Sequence, residues 1–344
     1  MSPNIKASVE IFPGFHFSPV CLFVFLVIAV SCYGQSNSHP GINLYVGGKY
    51  KEAIISLSLA TKDKTYQNDP EIWTCLGLSY IRVNDNKNAR KALENAVKIS
   101  PDSSVYHSNL AYAYLLVRQM KKAEDESTKA IKLDSKNATA YNLRGTAFLF
   151  ESKPGAAISD AEQIILLNKQ DPQGYLLKSN ALTMKLGQKV SGGRNVKQEI
   201  ALLEDAKSTL ETGLVAVDSS SRNAIEPELE SVRAFYDYFS KPDFPVIDTN
   251  AAPEPGVTSL KITEKSRPNY TDEARSGNVQ GTITLAVLFR ADGKPGNILL
   301  LKRLGSGLDQ QAMIAARKIK FEPMKKDGQP ISVVKVVEYS FSIY

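Results

Sequence analysis

The chain has 344 residues, room for an export segment and about two domains of ordinary size. Its hydrophobic content of 43% and charged content of 23% are those of a folded chain, so disorder is not the default. The net charge of +6 sits entirely in residues 257–344, with 14 Lys and Arg against 8 Asp and Glu; no basic and aromatic cluster accompanies it, which argues for a solvated face and against a nucleic-acid site.

The first 34 residues read as a leader. Val20 to Val30 is an apolar run of signal-peptide length, short for a bilayer span. Ser31, Cys32 and Gly34 then precede Gln35, and cleavage after Gly34 fits the small residues that a signal peptidase inspects. Ala29-Val30-Ser31-Cys32 also resembles a bacterial lipoprotein box, which would place a lipid on Cys32. Lys6, offset by Glu10, is the only basic residue upstream. Cleavage, lipidation and retention as a membrane anchor all stay open. With the leader removed, Cys75 is the single remaining cysteine, so no intramolecular disulfide is expected, and its apolar helical position reads as core packing.

Residues 40–240 repeat with a period of about 34 residues. From Pro70 onward, Trp73, Leu76, Gly77, Tyr80, Ala89, Leu93, Ala96 and Pro101 mark a two-helix unit. Gly77 and Ala89 let the helices cross closely, and Pro101 ends the unit because it cannot extend a helix. One period on come His107, Leu110, Ala111, Tyr114, Ala123 and Ala130, then Tyr141, Gly145, Phe148 and Ala157. An earlier unit shows in Gly48 to Ala53, Leu57 and Ala60. A degenerate fifth begins at Pro172, with a Gly-rich insertion at Val190–Arg194, and residues 223–239 read as a capping helix.

These units resemble the tetratricopeptide repeat (TPR) family, and Trp73 to Pro101 carries the likeness most completely. The resemblance implies an all-α solenoid with a groove for extended peptides, lined by the first helix of each unit. The matching positions are Thr74, Leu78, Ser108, Tyr112, Asn142 and Thr146; they are uncharged, so a clamp for a peptide carboxylate is not expected.

Residues 241–259, with Pro242, Pro245, Pro253 and Pro255, form a stiff spacer. Beyond it, residues 260–344 alternate. Ile283, Leu285, Val287 and Phe289 face one way along a strand; Ala291-Asp292-Gly293-Lys294 is a hairpin turn; a second strand runs near Asn297–Lys302. Leu308 to Lys320 is predicted helical, and residues 331–343 form the last strand. Its alternation blurs at Val333-Val334 and Val336-Val337, which suggests a bulge near Lys335. The expected unit is a small α+β domain, a three-stranded antiparallel sheet with two helices.

Pro268-Asn269-Tyr270, Ala274-Arg275, Gly277, Gly281-Thr282, Asp292-Gly293, Ser306 to Asp309, Ala312, Phe321-Glu322-Pro323 and Gly328 to Pro330 resemble the C-terminal domain of TonB-family proteins. Thr271 departs from it, where a second proline is common. The resemblance implies a periplasmic, Gram-negative envelope protein whose last strand receives an extended segment of an outer-membrane receptor, as an added strand. Here that edge is Ser332, Val333, Val334, Lys335, Val336, Val337, Glu338, Tyr339, Ser340 and Phe341. Lys335 and Glu338 have a second reading, as charges that keep a bare edge from aggregating.

No catalytic constellation stands out in the sequence. His16, His39 and His107 have no metal-ligand spacing, and Gly305-Ser306-Gly307 lacks the partners of a phosphate loop or nucleophile elbow. A non-enzymatic interaction protein without cofactor or metal is therefore expected. Two forms of it stand: a TonB-like transducer whose repeats recruit a peptide or protein partner, and a periplasmic scaffold for assembly or secretion without energy coupling. The membrane fate of residues 20–34 discriminates them.

Overall fold

A computed structural model describes residues 39–191, 200–241 and 255–343. The leader with Cys32, the centre of the Gly-rich insertion and most of the Pro-rich spacer lie outside the described residues. Among the described residues, no helix is long and apolar enough to cross a membrane.

The repeats form antiparallel helix pairs: α1 (Pro40–Val46) with α2 (Tyr50–Ala60), α3 (Pro70–Arg82) with α4 (Asn86–Ile99), α5 (Ser104–Leu116) with α6 (Met120–Leu133), and α7 (Ala138–Phe150) with α8 (Pro154–Leu167). A fifth pair, α9 (Pro172–Ser191) and α10 (Ile200–Ala216), is followed by α11 (Ser219–Ser240). Side chains start the helices by satisfying their first amides: Asp69 accepts from Glu71 N at 2.9 Å, and Asn137 accepts from Ala140 N at 2.9 Å. Small residues set the crossings. A Cβ on Gly77 would lie 2.6 Å from Leu93 Cγ, and one on Gly145 would lie 2.5 Å from Leu177 Cδ2. The period of small residues read from the sequence is thus the period of close helix approach.

His107 occupies the aromatic position of its unit and carries an ionic contact there. Buried, it places Nδ1 2.5 Å from Glu126 Oε2 and Nε2 2.7 Å from the Pro101 carbonyl. Both partners only accept from the ring, so the doubly protonated imidazolium suits the site. The Glu126 carboxylate pushes the His107 pKa up against the opposing effect of burial, with help from the Pro101 carbonyl.

The C-terminal unit begins with β1 (Val257–Thr258) and β2 (Lys261–Glu264), followed by α12 (Asp272–Ser276), β3 (Gly281–Phe289) and β4 (Pro295–Lys302). After α13 (Leu308–Ala316) come β5 (Lys320–Glu322), β6 (Lys325–Lys326), β7 (Gln329–Pro330) and β8 (Val333–Phe341). The main sheet has the antiparallel order β4-β3-β8. Small antiparallel pairings, β2 with β5 and β1-β6-β7, flank it. Two expectations are corrected. The helix predicted to reach Lys320 stops at Ala316, because Lys320–Glu322 pairs with β2 and Phe321 stacks edge-on against Phe289 at 4.8 Å. No bulge interrupts β8 near Lys335, since its register with β3 runs unshifted from Gly281↔Phe341 to Phe289↔Val333.

The apparent blur in β8 has another cause: both faces of the sheet are buried. Val333, Val337, Tyr339 and Phe341 join Ile283, Leu285, Val287, Phe289, Ile298 and Leu300 in a core closed by α13. The opposite face, with Ala286, Leu299, Leu301, Val334 and Val336, joins the core of the array and packs on α9 and α11.

Two outcomes test this fold. Gly77→Ala should lower the free energy of unfolding by about 1–3 kcal/mol in a denaturant titration, since Leu93 must give way. The His107 pair should stabilise the chain fully below about pH 6.5 and lose that contribution as pH rises through the raised pKa. Unfolding free energy measured between about pH 6 and 8 should therefore fall less steeply in His107→Gln than in the parent.

Candidate functional site

The candidate site is the outer edge of β8, and the direction of its backbone groups follows from the hairpin beside it. Arg290 N donates to Lys294 O on the β4 side of β3, whereas Ala291 N donates to Ser332 Oγ on the β8 side. Odd-numbered residues of β3 therefore direct their amides and carbonyls to β8. The register joins odd to odd, so Lys335, Val337 and Tyr339 face β3, and Val334, Val336, Glu338 and Ser340 face outward. Among the described residues, no strand pairs with β8 on that side.

Two side chains reach outward carbonyls of this edge. Tyr238, from the last turn of α11, donates its hydroxyl to Ser332 O. Burial pushes the Tyr238 phenol well above its ordinary value, which keeps it a donor. Lys265 donates Nζ to Glu338 O at 2.7 Å, its ammonium 4.7 Å from the centre of the Tyr339 ring. The side chains of the predicted edge divide by face. Val333, Val337, Tyr339 and Phe341 are buried, Val334, Lys335 and Val336 are half-buried, and Glu338 and Ser340 are exposed.

The array holds the sheet from behind at several points. Gly187 of α9 lets the helix backbone approach β4, since a Cβ there would lie 2.8 Å from Leu301 Cβ and 3.2 Å from Leu301 O. Arg303 Nη2 donates to Asn180 Oδ1 at 2.5 Å, and Arg118 Nη2 donates to Leu304 O. The Arg118 guanidinium also lies 4.6 Å from the centre of the Phe150 ring. The loop Gly305-Ser306-Gly307, with three successive positive φ angles of 72°, 52° and 74°, lies against Phe150. Asp309 fastens that loop by accepting from Leu304 N at 2.8 Å and Gly305 N at 3.2 Å. Thr271, where the family pattern has proline, caps α12 through Ala274 N and donates to Ser306 O at 2.6 Å.

The six positions matched to a TPR groove are differently placed. Thr74, Leu78, Ser108, Tyr112 and Asn142 are buried, and Thr146 is half-buried. Their polar groups are used within the array: Thr74 Oγ1 donates to Pro70 O one turn back in its own helix, while Asn137 Nδ2 donates to Ser108 Oγ and Asn142 Nδ2 to Gln173 Oε1 between helices. Successive first helices stack on one another there, which accounts for the burial of these five. The sequence reading missed Tyr238, Lys265 and the array-facing sheet residues. A signal for the last existed in the unbroken apolar run Ile298–Leu301, the mark of a strand buried on both faces.

Gly187→Leu should pry β4 from α9 without touching the sheet's other core. Small-angle scattering should then show a longer particle, and unfolding should split into two transitions where the parent gives one.

A comparison with curated proteins gives no match. Among solved structures, MamA is similar at 20% identity, with a TM-score of 0.43 over 52% of this chain and 95% of MamA. The Arabidopsis OM64 TPR domain is 25% identical, with a TM-score of 0.32 over 33% of this chain and 93% of that domain. The second TPR domain of human RPAP3, solved with an HSP70 peptide, is 25% identical, with a TM-score of 0.31 over 33% of this chain and 97% of its own. Residues 70–103 match the family model for the tetratricopeptide repeat. Residues 266–343 match that for the Gram-negative bacterial TonB protein C-terminal domain, so the chain joins a TPR-like array to a TonB-like C-terminal unit.

Proposed function

We propose that this protein works in the Gram-negative cell envelope as a non-enzymatic interaction protein. Its C-terminal unit binds an extended segment of an outer-membrane receptor along the β8 edge, and its array recruits a second protein. The observation that carries this reading is the row of outward amides and carbonyls on Val334, Val336, Glu338 and Ser340, unpaired by any strand among the described residues. An added strand would bond to that row through its main chain, and the neighbouring side chains would set its specificity. Recruitment by the array has its own support in Ile55 and Leu59, one helical turn apart on α2 and both about two-thirds exposed.

Energy coupling belongs to the finer part of the proposal. It needs the leader retained as a membrane anchor and the array acting as part of the reach across the periplasm. A scaffold without energy coupling is the rival, and the fastening of the sheet to the array favours it, since that contact shortens the reach.

Proline at Glu338 tests the edge. It removes an outward N–H, leaves the ladder to β3 intact and disturbs no buried side chain. Synthetic ten-residue peptides copying the periplasmic segments of outer-membrane receptors should bind Glu338→Pro about tenfold or more weakly, with the melting temperature nearly unchanged. Equal affinity in parent and variant would remove β8 as the binding edge.

A further inference from the structure

Two stops interrupt the open edge of β8, and they come from different modules. Ser332 O is occupied by the Tyr238 hydroxyl of the array, and Glu338 O by the Lys265 ammonium of the segment between β2 and α12. Between them stand the amides and carbonyls of Val334 and Val336 and the amide of Glu338. The Val334 and Val336 side chains pack on the array-facing cluster that also includes Tyr238. The array therefore lies against the same stretch of β8 that a partner strand would use.

We infer that Tyr238 and Lys265 set how much of β8 a partner strand can occupy, by competing with it for the Ser332 and Glu338 carbonyls. The inference rests on the edge-pairing reading above. A receptor segment that pairs only with Val334 and Val336 binds with both stops in place. One that extends toward Ser340 must displace Lys265, and one that extends toward Ser332 must displace Tyr238. Tyr238 makes the second displacement a matter for the array, because its hydroxyl is carried on α11 beside Phe235 and Phe239, both buried in the array-facing cluster. Lys265 is exposed and held by one hydrogen bond and a ring contact, so it is the weaker stop.

The test uses the whole chain and the same ten-residue receptor peptides, with affinity read by fluorescence anisotropy. Lys265→Met keeps the alkyl stem over Tyr339 and removes the donor; Tyr238→Phe keeps the ring and removes the hydroxyl. Each should tighten binding of a ten-residue peptide by about three- to tenfold, the range of one competing hydrogen bond. Peptides cut to about four residues, which span only the central stretch, should bind the parent and both variants alike. Lys261→Met, a lysine on β2 paired with Glu322, should change neither. Unchanged ten-residue binding in both variants, with Glu338→Pro still weakening it, would overturn the two stops and leave the edge standing. Binding indifferent to Glu338→Pro as well would overturn both readings. Should Tyr238→Phe loosen the array, seen as a lower melting temperature, Lys265→Met alone decides.

Discussion

A sheet with apolar side chains on both faces needs a cover on each side, and this chain supplies the covers from two different modules. Helix α13 closes one face of β4-β3-β8, and helices α9 and α11 of the repeat array close the other. Leaving Ala286, Leu299, Leu301, Val334 and Val336 in water would cost on the order of several kcal/mol at ordinary transfer values. The two modules are consequently parts of one packed body, in spite of the proline-rich spacer between them. Gly187 is the local condition for this, since any larger side chain would keep α9 from reaching the backbone of β4.

The geometry of the edge follows from that packing. With α13 on one face and the array on the other, the sheet keeps its strand ends and its two outer edges as routes for adding a chain. β8 presents alternate backbone groups outward in an unbroken register, and the array contributes Tyr238 to one end of that row. A solenoid that spaced its C-terminal unit away from the membrane would be free of such contacts. Here the repeats buttress the strand, so events on the array and events at the edge share a surface. The loop Gly305-Ser306-Gly307 extends the same logic: its left-handed backbone, which resembles a phosphate loop only in composition, turns Leu304 O toward Arg118.

Much of this was legible in the sequence, for reasons that can be named. The repeat shows because close helix crossings demand Gly77, Ala89, Gly145 and Ala157 at a fixed period, and local patterns survive in one dimension. The hairpin shows because Asp292-Gly293 suits a left-handed turn, and Gly293 has φ 79°. Other features depend on partners distant in the chain. Val334 and Val336 look like a disturbed alternation until the array is seen beneath them. Leu308 to Lys320 keeps helical spacing past the point where Lys320–Glu322 is claimed by β2. The positions matched to the TPR groove carry a family's contact pattern, but their exposure depends on how neighbouring units stack, which no single unit encodes. His107 fitted an aromatic slot, while its ionic partner, Glu126, sits on the next helix.

The central claim, that the array and α13 together hold β8 with alternate backbone groups facing outward, is most directly tested by residue-resolved amide hydrogen exchange on the whole chain. The amides of Lys335, Val337 and Tyr339 should be strongly protected, and those of Val334, Val336 and Glu338 should exchange orders of magnitude faster. Equal protection at all six amides would mean that the outer side of β8 is already paired, and would contradict the account.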